Sequence, residues 1–391
     1  MLKCASAYTY EIDVPEDAFE EIKSQLDEKV ELLENTIGIV TCHPDFIGSG
    51  ALKHICDNLP FDVVGATTPA QAVDGESGEL VLTVFVMTSD DVYFKTGITG
   101  CLDGGVGEPI KTAVEEATAG VSEPPDLALV FPPLIFKYSG DSYAEELKKF
   151  IPNTPIFGPI AIDDTLTNES SATIYKGENY RTAMPFVLCY GNINPRFIVG
   201  TFPDDKVMPY KGEITKSSGS FVSEINNINA YKYFESIGFI ENGVLADTFH
   251  LVPFAVDQIK RTDYDGIPVI RGIALFSEDG TAVFRGDVDE GSVFSILTFE
   301  ADDVLSTTQK TIEQINALPD VNGVLLFTCT GRRMMTMSIN PLIELETARD
   351  RINPDIPFMM CYAGGEICPT LMKDGVPTNR FHNYSIIILV I

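Results

Sequence analysis

Basic residues are scarce in this chain: 27 lysines and arginines stand against 57 aspartates and glutamates, for a formal net charge of −30 and a pI near 4.3. A field of that sign repels phosphate backbones and anionic lipid surfaces, so neither nucleic acid nor a membrane is an expected partner. Histidine is scarcer still. The four, at positions 43, 54, 250 and 382, form no His-x-x-x-His or His-Glu-x-x-His pair, so no metal triad is expected. The eight cysteines lie scattered, mostly in apolar runs such as VLCY and LLFTC, and no Cys-x-x-Cys occurs. That usage fits free thiols serving as small hydrophobes in a reducing cytoplasm, not a zinc knuckle or a redox pair. Long apolar runs are missing too: Ile386 to Ile391 is the longest, too short for a bilayer, and the N-terminal residues turn acidic without the apolar core of a signal peptide. No Gly-x-Ser-x-Gly elbow, P-loop or dinucleotide fingerprint occurs. A phosphatase-type loop would need arginine where Met335 follows Cys329 and where Gly48 follows Cys42. No acid, base and nucleophile set emerges, so the expectation is a protein that is not an enzyme.

What is present is a large globular chain. Its 391 residues are 45 % hydrophobic and 21 % charged, and area scaling for its mass gives roughly 15,000 Å² of folded surface, about a quarter of the extended chain's. Such a core needs no metal or disulfide staple.

The most informative feature is an internal repeat of helix–strand–helix–strand–hairpin–strand. The third copy is the clearest, with a helix over Asp302–Ala317, the strand GVLLFTCTG (323–331), a helix over Leu342–Arg351, the strand IPFMMCYAGGE (356–366), a polar hairpin MKDGVPTNRF and the strand NYSIIILVI. The second has the helix PIKTAVEEA, the strand DLALVFPP, the helix SYAEELKKF, the strand TPIFGPIAID, a hairpin around Lys176-Gly177-Glu178 and the strand AMPFVLCYG. The first is shorter: helix 16–29, TIGIVTC, GALKHICDNL, FDVVGATT, the turn DGESGE and LVLTVFVMT. Near-continuous apolar strands bounded by Gly and Pro predict an α/β fold of mixed sheets covered on both faces. Between copies two and three, residues 194–300 carry short alternating strands (PRFIVGTF, FHLVPFAV, IPVIRGIALF, SVFSILTF) and predict a more antiparallel, β-rich insert. The domain boundary falls at Gly191–Pro195, dividing 1–193 from 194–391, where the insert precedes copy three over 302–391.

Ligands of open α/β sheets gather at the carboxyl ends of strands. There copy three places Cys329-Thr330-Gly331-Arg332-Arg333, and adjacent guanidinium forks suit a carboxylate; the alternative is pairing with surface acids. Gly364-Gly365-Glu366 ends the next strand, and an arginine–glutamate pair can hold a zwitterion such as an amino acid, though a tight turn would read the same way. His382, beside Asn383 before the last strand, reaches the same region or serves as a structural residue. Cys368-Pro369 and His43-Pro44 are weak haem-ligand candidates. A Cys329 thiol activated by the arginines is the remaining enzymatic route.

The run VLLFTCTGRR, the GGEICP strand end, the RFHN lead-in to the last strand and IPVIRGIALFSEDGTAVF together resemble the FIST domain family, over nearly the whole chain. The resemblance implies a non-enzymatic sensory module of intracellular signalling that binds an amino acid or similar small carboxylate without a cofactor. Its output is expected to pass through a separate signalling protein or through self-association. Carried over, the ligand-binding candidates are Arg332, Arg333, Glu366, Gly365, His382, Asn383 and Arg271, and Arg332→Ala is expected to lose binding while the fold survives. Stand-alone members that bind haem and sense nitric oxide supply the alternative reading. One departure matters: where the family has Gly-Glu in its N-terminal part, this chain has Pro69-Ala70-Gln71, which argues against a second site in copy one.

Overall fold

Successive residues of a strand point to opposite faces, and in this chain both faces are apolar. In Asn35–Cys42, Ile37 and Ile39 enter one cluster of buried residues while Val40 and Cys42 enter another; in Leu127–Val130 and Val324–Cys329 the same division separates Leu127 and Leu129 from Ala128 and Val130, and Leu325 and Phe327 from Val324 and Leu326. The shared cluster draws on all three repeats; each of the others pairs one sheet with its own helices. The protein, as a computed structural model, describes residues 2–165, 167–241, 244–245, 252–262, 266–373 and 375–391. It is an α/β fold in which three mixed sheets face a common core and carry helices on their outer faces. The exposed surface, 15749 Å², is close to that expected from mass alone.

Unit one runs β1 (Lys3–Thr9), α1 (Pro15–Lys29), β2 (Asn35–Cys42), α2 (Ala51–Asn58), β3 (Asp62–Thr67), the hairpin β4 (Gln71–Val73) and β5 (Glu76–Gly78), and β6 (Leu82–Ser89). Unit two repeats it as β7 (Val92–Ile98), α3 (Gly107–Thr118), β8 (Leu127–Val130), α4 (Gly140–Phe150), β9 (Ile156–Pro159), β10 (Thr173–Tyr175) with β11 (Glu178–Tyr180), and β12 (Pro185–Gly191). Unit three comprises β13 (Arg196–Gly200), α5 (Ala301–Ala317), β14 (Val324–Cys329), α6 (Thr330–Thr336), α7 (Ile343–Arg351), β15 (Phe358–Ala363), β16 (Glu366–Lys373) with β17 (Val376–His382), and β18 (Ile386–Val390).

The hairpins do not stay with their own units. The sheet orders are β1-β6-β2-β3-β10-β11, β7-β12-β8-β9-β16-β17 and β13-β18-β14-β15-β4-β5. Each hairpin therefore completes another unit's sheet, with Thr173 opposite Ala66, Glu366 opposite Pro159 and Gln71 opposite Cys361. The exchange is cyclic, so residues before and after position 194 interlock. Close packing of the parallel pairs leaves marks in the sequence: a Cβ at Gly65 or Gly158 would fall 1.7 or 1.8 Å from the carbonyl oxygen of Val40 or Val130.

The structure departs from the sequence reading at three places in unit three. Arg196–Gly200, placed above in the insert, is the edge strand of unit three, pairing with Ile386–Val390; its half-buried residues gave no strong signal. Cys329–Arg333, read as a loop, is the start of α6, and Glu366 opens β16 instead of closing the strand before it.

The insert is antiparallel, with strands from Val207–Ser218 to Val293–Leu297 around a core that includes Phe234, Phe254 and Phe294. IPVIRGIALF divides at Gly272 into Val269–Arg271 and Ile273–Phe276, and 249–251 of FHLVPFAV, with His250, lie outside the described residues. The chain returns to unit three through a capping box: the Glu300 N–H donates to Asp303 Oδ2 at 2.9 Å and starts α5.

Candidate functional site

The segments just beyond β3, β8, β9, β14 and β15 meet one loop of the insert around a cleft of about 270 Å³. Pro69 comes from unit one, Leu134 and Ile162–Thr165 from unit two, and Cys329–Gly331, Gly364 and Asn383–Tyr384 from unit three. Arg285 comes from the insert, 44 residues before Cys329 in sequence.

Arg333 projects into this cleft from α6. Its Nη2 meets Glu79 Oε1 at 2.6 Å, its guanidinium lies 5.6 Å from the centre of the Tyr362 ring, and its buried Nε has no hydrogen-bond partner among the described residues. Arg285 is exposed, and its guanidinium makes no hydrogen bond or ion pair with any described residue. Its charge counters the upward shift of the Cys329 thiol, which burial first and Glu366 second push up to about 12. Two further buried polar atoms of the lining, Asn383 Oδ1 and Asn168 Oδ1, also lack partners among the described residues. Buried polar groups are normally satisfied, so three unmet ones around one cleft give it capacity to hydrogen-bond a polar ligand.

The acids of the cleft are engaged to different degrees. Buried Asp163 accepts from the Thr165 N–H at 2.8 Å, the Thr165 hydroxyl at 2.7 Å and the Ser170 N–H at 2.7 Å, which ties down its loop. Asp164 is half exposed and touches His43 Nε2 at 3.4 Å. Because His43 Nδ1 accepts from the Asp45 N–H at 3.3 Å, Nε2 is the donor to Asp164.

The floor is Tyr384. It is buried with φ at 53°, a left-handed conformation uncommon for a tyrosine, and its ring lies between two glycines. A Cβ at Gly331 or Gly272 would come within 2.8 or 2.9 Å of that ring, so both positions need glycine. The wedge thus joins α6 of unit three to the insert.

Of the residues nominated by sequence, Arg333 and Asn383 line the cleft; the other five lie elsewhere. Arg332 is fully buried on the opposite side of α6, with Nη2 at 2.8 Å from Glu344 Oε1 and bonded to Val304 O, Thr307 Oγ1 and Thr308 Oγ1 at 2.9–3.0 Å. Successive helical residues diverge by about 100°, which sends neighbouring arginines to different environments. Glu366 is buried, accepts from the Ser385 hydroxyl at 2.9 Å, and has its carboxyl held well above the usual range by burial. Gly365 adopts φ 116° and has no room for a Cβ, which would meet Phe381 at 2.5 Å. His382 lies against a second cleft of about 340 Å³ beside β13 and β16; Nε2 contacts Cys368 O at 3.1 Å, and burial lowers its pKa to about 4.

Arg271 holds the insert to the three-sheet body. Nη2 pairs with Asp141 Oδ2 at 2.9 Å, Nη1 donates to Phe381 O at 2.9 Å, and Nε donates to Asp287 O at 3.2 Å. The Asp287 N–H returns a bond to Asp141 Oδ2 at 2.9 Å, and the Arg285 N–H bonds Gly272 O at 2.8 Å, so the segment that presents Arg285 is held at both ends. Sequence reading missed Arg285, Asp164 and Tyr384. An acidic pair directly after TPIFGPIAI was the one available signal, since Arg285 reaches the cleft only through insert packing.

The haem-ligand candidates do not fit that group as they stand. His382 is bonded to Cys368 O, the Cys368 thiol donates to Pro369 O at 3.4 Å, and both ring nitrogens of His43 are engaged. Among the described residues no three His, Cys, Asp or Glu side chains are grouped to hold a metal ion, and no helix is long and apolar enough to cross a membrane.

Comparison with known families gives two matches: the FIST N domain over residues 36–228 and the FIST C domain over residues 230–369. Their junction falls inside the insert, at the start of its Ala230–Ser236 helix. No curated protein matches the chain.

Proposed function

The chain belongs to the FIST family of signal-transduction sensory domains, and from that premise we propose that it senses a small carboxylate, an amino acid or close relative, held in the cleft between the three units and the insert. The observation that carries this reading is Arg285: in a chain with 57 acidic residues, a cleft-lining guanidinium has no acidic partner among the described residues. A planar fork beside a half-enclosed cavity is suited to a bidentate carboxylate. Arg333 Nε adds a donor and Asn383 Oδ1 an acceptor, while Asp164 can receive an ammonium group.

Such a ligand would touch the insert through Arg285 and unit three through α6 and Tyr384. It would thereby favour the docked arrangement of the insert by its difference in affinity for docked and undocked forms. That is a binding output, passed to a separate protein or to a second copy. The Cys329 thiol, pushed up to about 12, is protonated at neutral pH, which favours a binding role over cysteine chemistry. We favour a cofactor-free sensor over the haem alternative because both ring nitrogens of His43, Nε2 of the buried His382 and the Cys368 thiol already have partners.

The test is thermal shift and calorimetry with free amino acids and monocarboxylates on the full chain and on Arg285→Ala. Arg285 is exposed, so its removal should leave the unliganded melting temperature nearly unchanged. Affinity should fall by about tenfold to a hundredfold, as expected for a lost charged hydrogen bond. Equal affinity in the variant would rule this cleft out.

A further inference from the structure

We infer that the ligand is an α-amino acid with an uncharged, apolar side chain, a deepening that rests on the sensor reading above. Among the described residues the cleft offers one free cation. The Arg285 guanidinium is unpaired there, but Arg333 already faces Glu79 at 2.6 Å, so a second ligand carboxylate would have to displace that acid in a field already strongly negative. Dicarboxylates such as glutamate are therefore disfavoured.

A cationic side chain is disfavoured by the same accounting of acids. Asp163 accepts three hydrogen bonds within its own loop, and Glu366 lies buried outside the lining, bonded to the Ser385 hydroxyl. Asp164 remains, shared with His43 Nε2 at 3.4 Å, and it can serve one ammonium group. An α-carboxylate on Arg285 and an α-ammonium on Asp164 use the available charges completely.

Beside the polar residues Thr165, Asn168, Thr330 and Asn383, the cleft carries an apolar patch. Leu134 and Ile162 line one side, and Met334 of α6 and Met337 just past its end line it with 44 % and 58 % of their surfaces exposed. Thioether side chains adapt to irregular apolar partners, so these two methionines form a ready cover for an aliphatic or aromatic side chain. At about 270 Å³ the cleft lies just below the range of roughly 300–1,000 Å³ usual for drug-sized ligands, which suits a single amino acid.

The experiment uses the full chain and isothermal calorimetry with leucine, methionine, phenylalanine, alanine, glutamate, lysine, 4-methylpentanoate and leucinamide. Leucine, methionine or phenylalanine should bind at least about tenfold tighter than alanine, glutamate or lysine, the gain expected from partly burying such a side chain. Leucinamide should lose most binding, and 4-methylpentanoate should lose part of it. The double variant Met334→Ser with Met337→Ser, on exposed positions, should weaken leucine by about tenfold while leaving alanine unchanged. Tighter binding of glutamate or lysine, or a double variant that weakens alanine equally, would overturn the apolar assignment and leave the carboxylate-sensor reading intact. If no amino acid or carboxylate of this set binds, both fall together.

Discussion

Two pairs of arginines in this protein show opposite uses of the same side chain. Arg271 and Arg332 are fully buried, and each is anchored on an internal carboxylate, Asp141 and Glu344, plus several carbonyl or hydroxyl acceptors, with Arg332 Nη1 alone unmatched among the described residues. Arg285 and Arg333 line the cleft with donors left over. The first pair ties elements together, whereas the second can bind something that comes and goes. Burial separates them. A guanidinium withdrawn from water must find partners within the fold, while one at a cleft can keep capacity in reserve.

The largest effect should come from the buried pair. Arg332→Ala leaves Glu344 buried without its cation, and Arg271→Ala does the same to Asp141; each should cost about 3–5 kcal/mol of stability in urea unfolding. A change of less than about 1 kcal/mol in either would erase the distinction between the two pairs. This reverses the expectation from sequence, in which Arg332→Ala was a binding variant on an intact fold.

A middle-sized effect concerns the cluster around Arg271. The Asp287 pKa is raised to about 6 by burial and then by Asp141, against the opposing influence of Ser139 and Arg271. Since the folded protein binds this proton more tightly than the unfolded chain, stability from this group is present at low pH and is lost as pH rises from about 4 through 6. Unfolding measured from pH 4.5 to 7.5 should show that downward contribution, and Asp287→Asn should flatten it. Identical pH profiles would mean that Asp287 does not titrate in this range.

The smallest effect belongs to the exposed partner of Arg333. Glu79→Gln removes a half-exposed ion pair and should change stability by no more than about 1 kcal/mol. It should nevertheless free Arg333, so that glutamate gains affinity relative to leucine in a calorimetric comparison. An unchanged ratio would show that Arg333 does not meet the ligand.

Much of the architecture was readable because it is written in short-range patterns. Continuous apolar runs of six to eight residues announced strands covered on both faces, and the Asp74-Gly75 and Lys176-Gly177 turns announced hairpins whose glycines take positive φ. Arg196–Gly200 was assigned to the insert because an edge strand half-open to solvent carries no such run. Within the cleft, Arg333 and Asn383 were reachable from strand-end logic. Arg332 and Glu366 satisfied the same logic but point into the interior, because a helix begins at Thr330 and a new strand at Glu366.

By itself, then, the sequence determined the α/β class, the threefold repeat and the order of elements within each unit, since periodicity, glycine placement and apolar length are local properties. Only the tertiary structure decided that each hairpin completes another unit's sheet and that the insert brings Arg285 to the three-unit cleft. It also decided which arginine of an adjacent pair is consumed in the core. Those outcomes depend on which surfaces can be buried together and which polar groups then find partners, and neither is encoded at any single position along the chain.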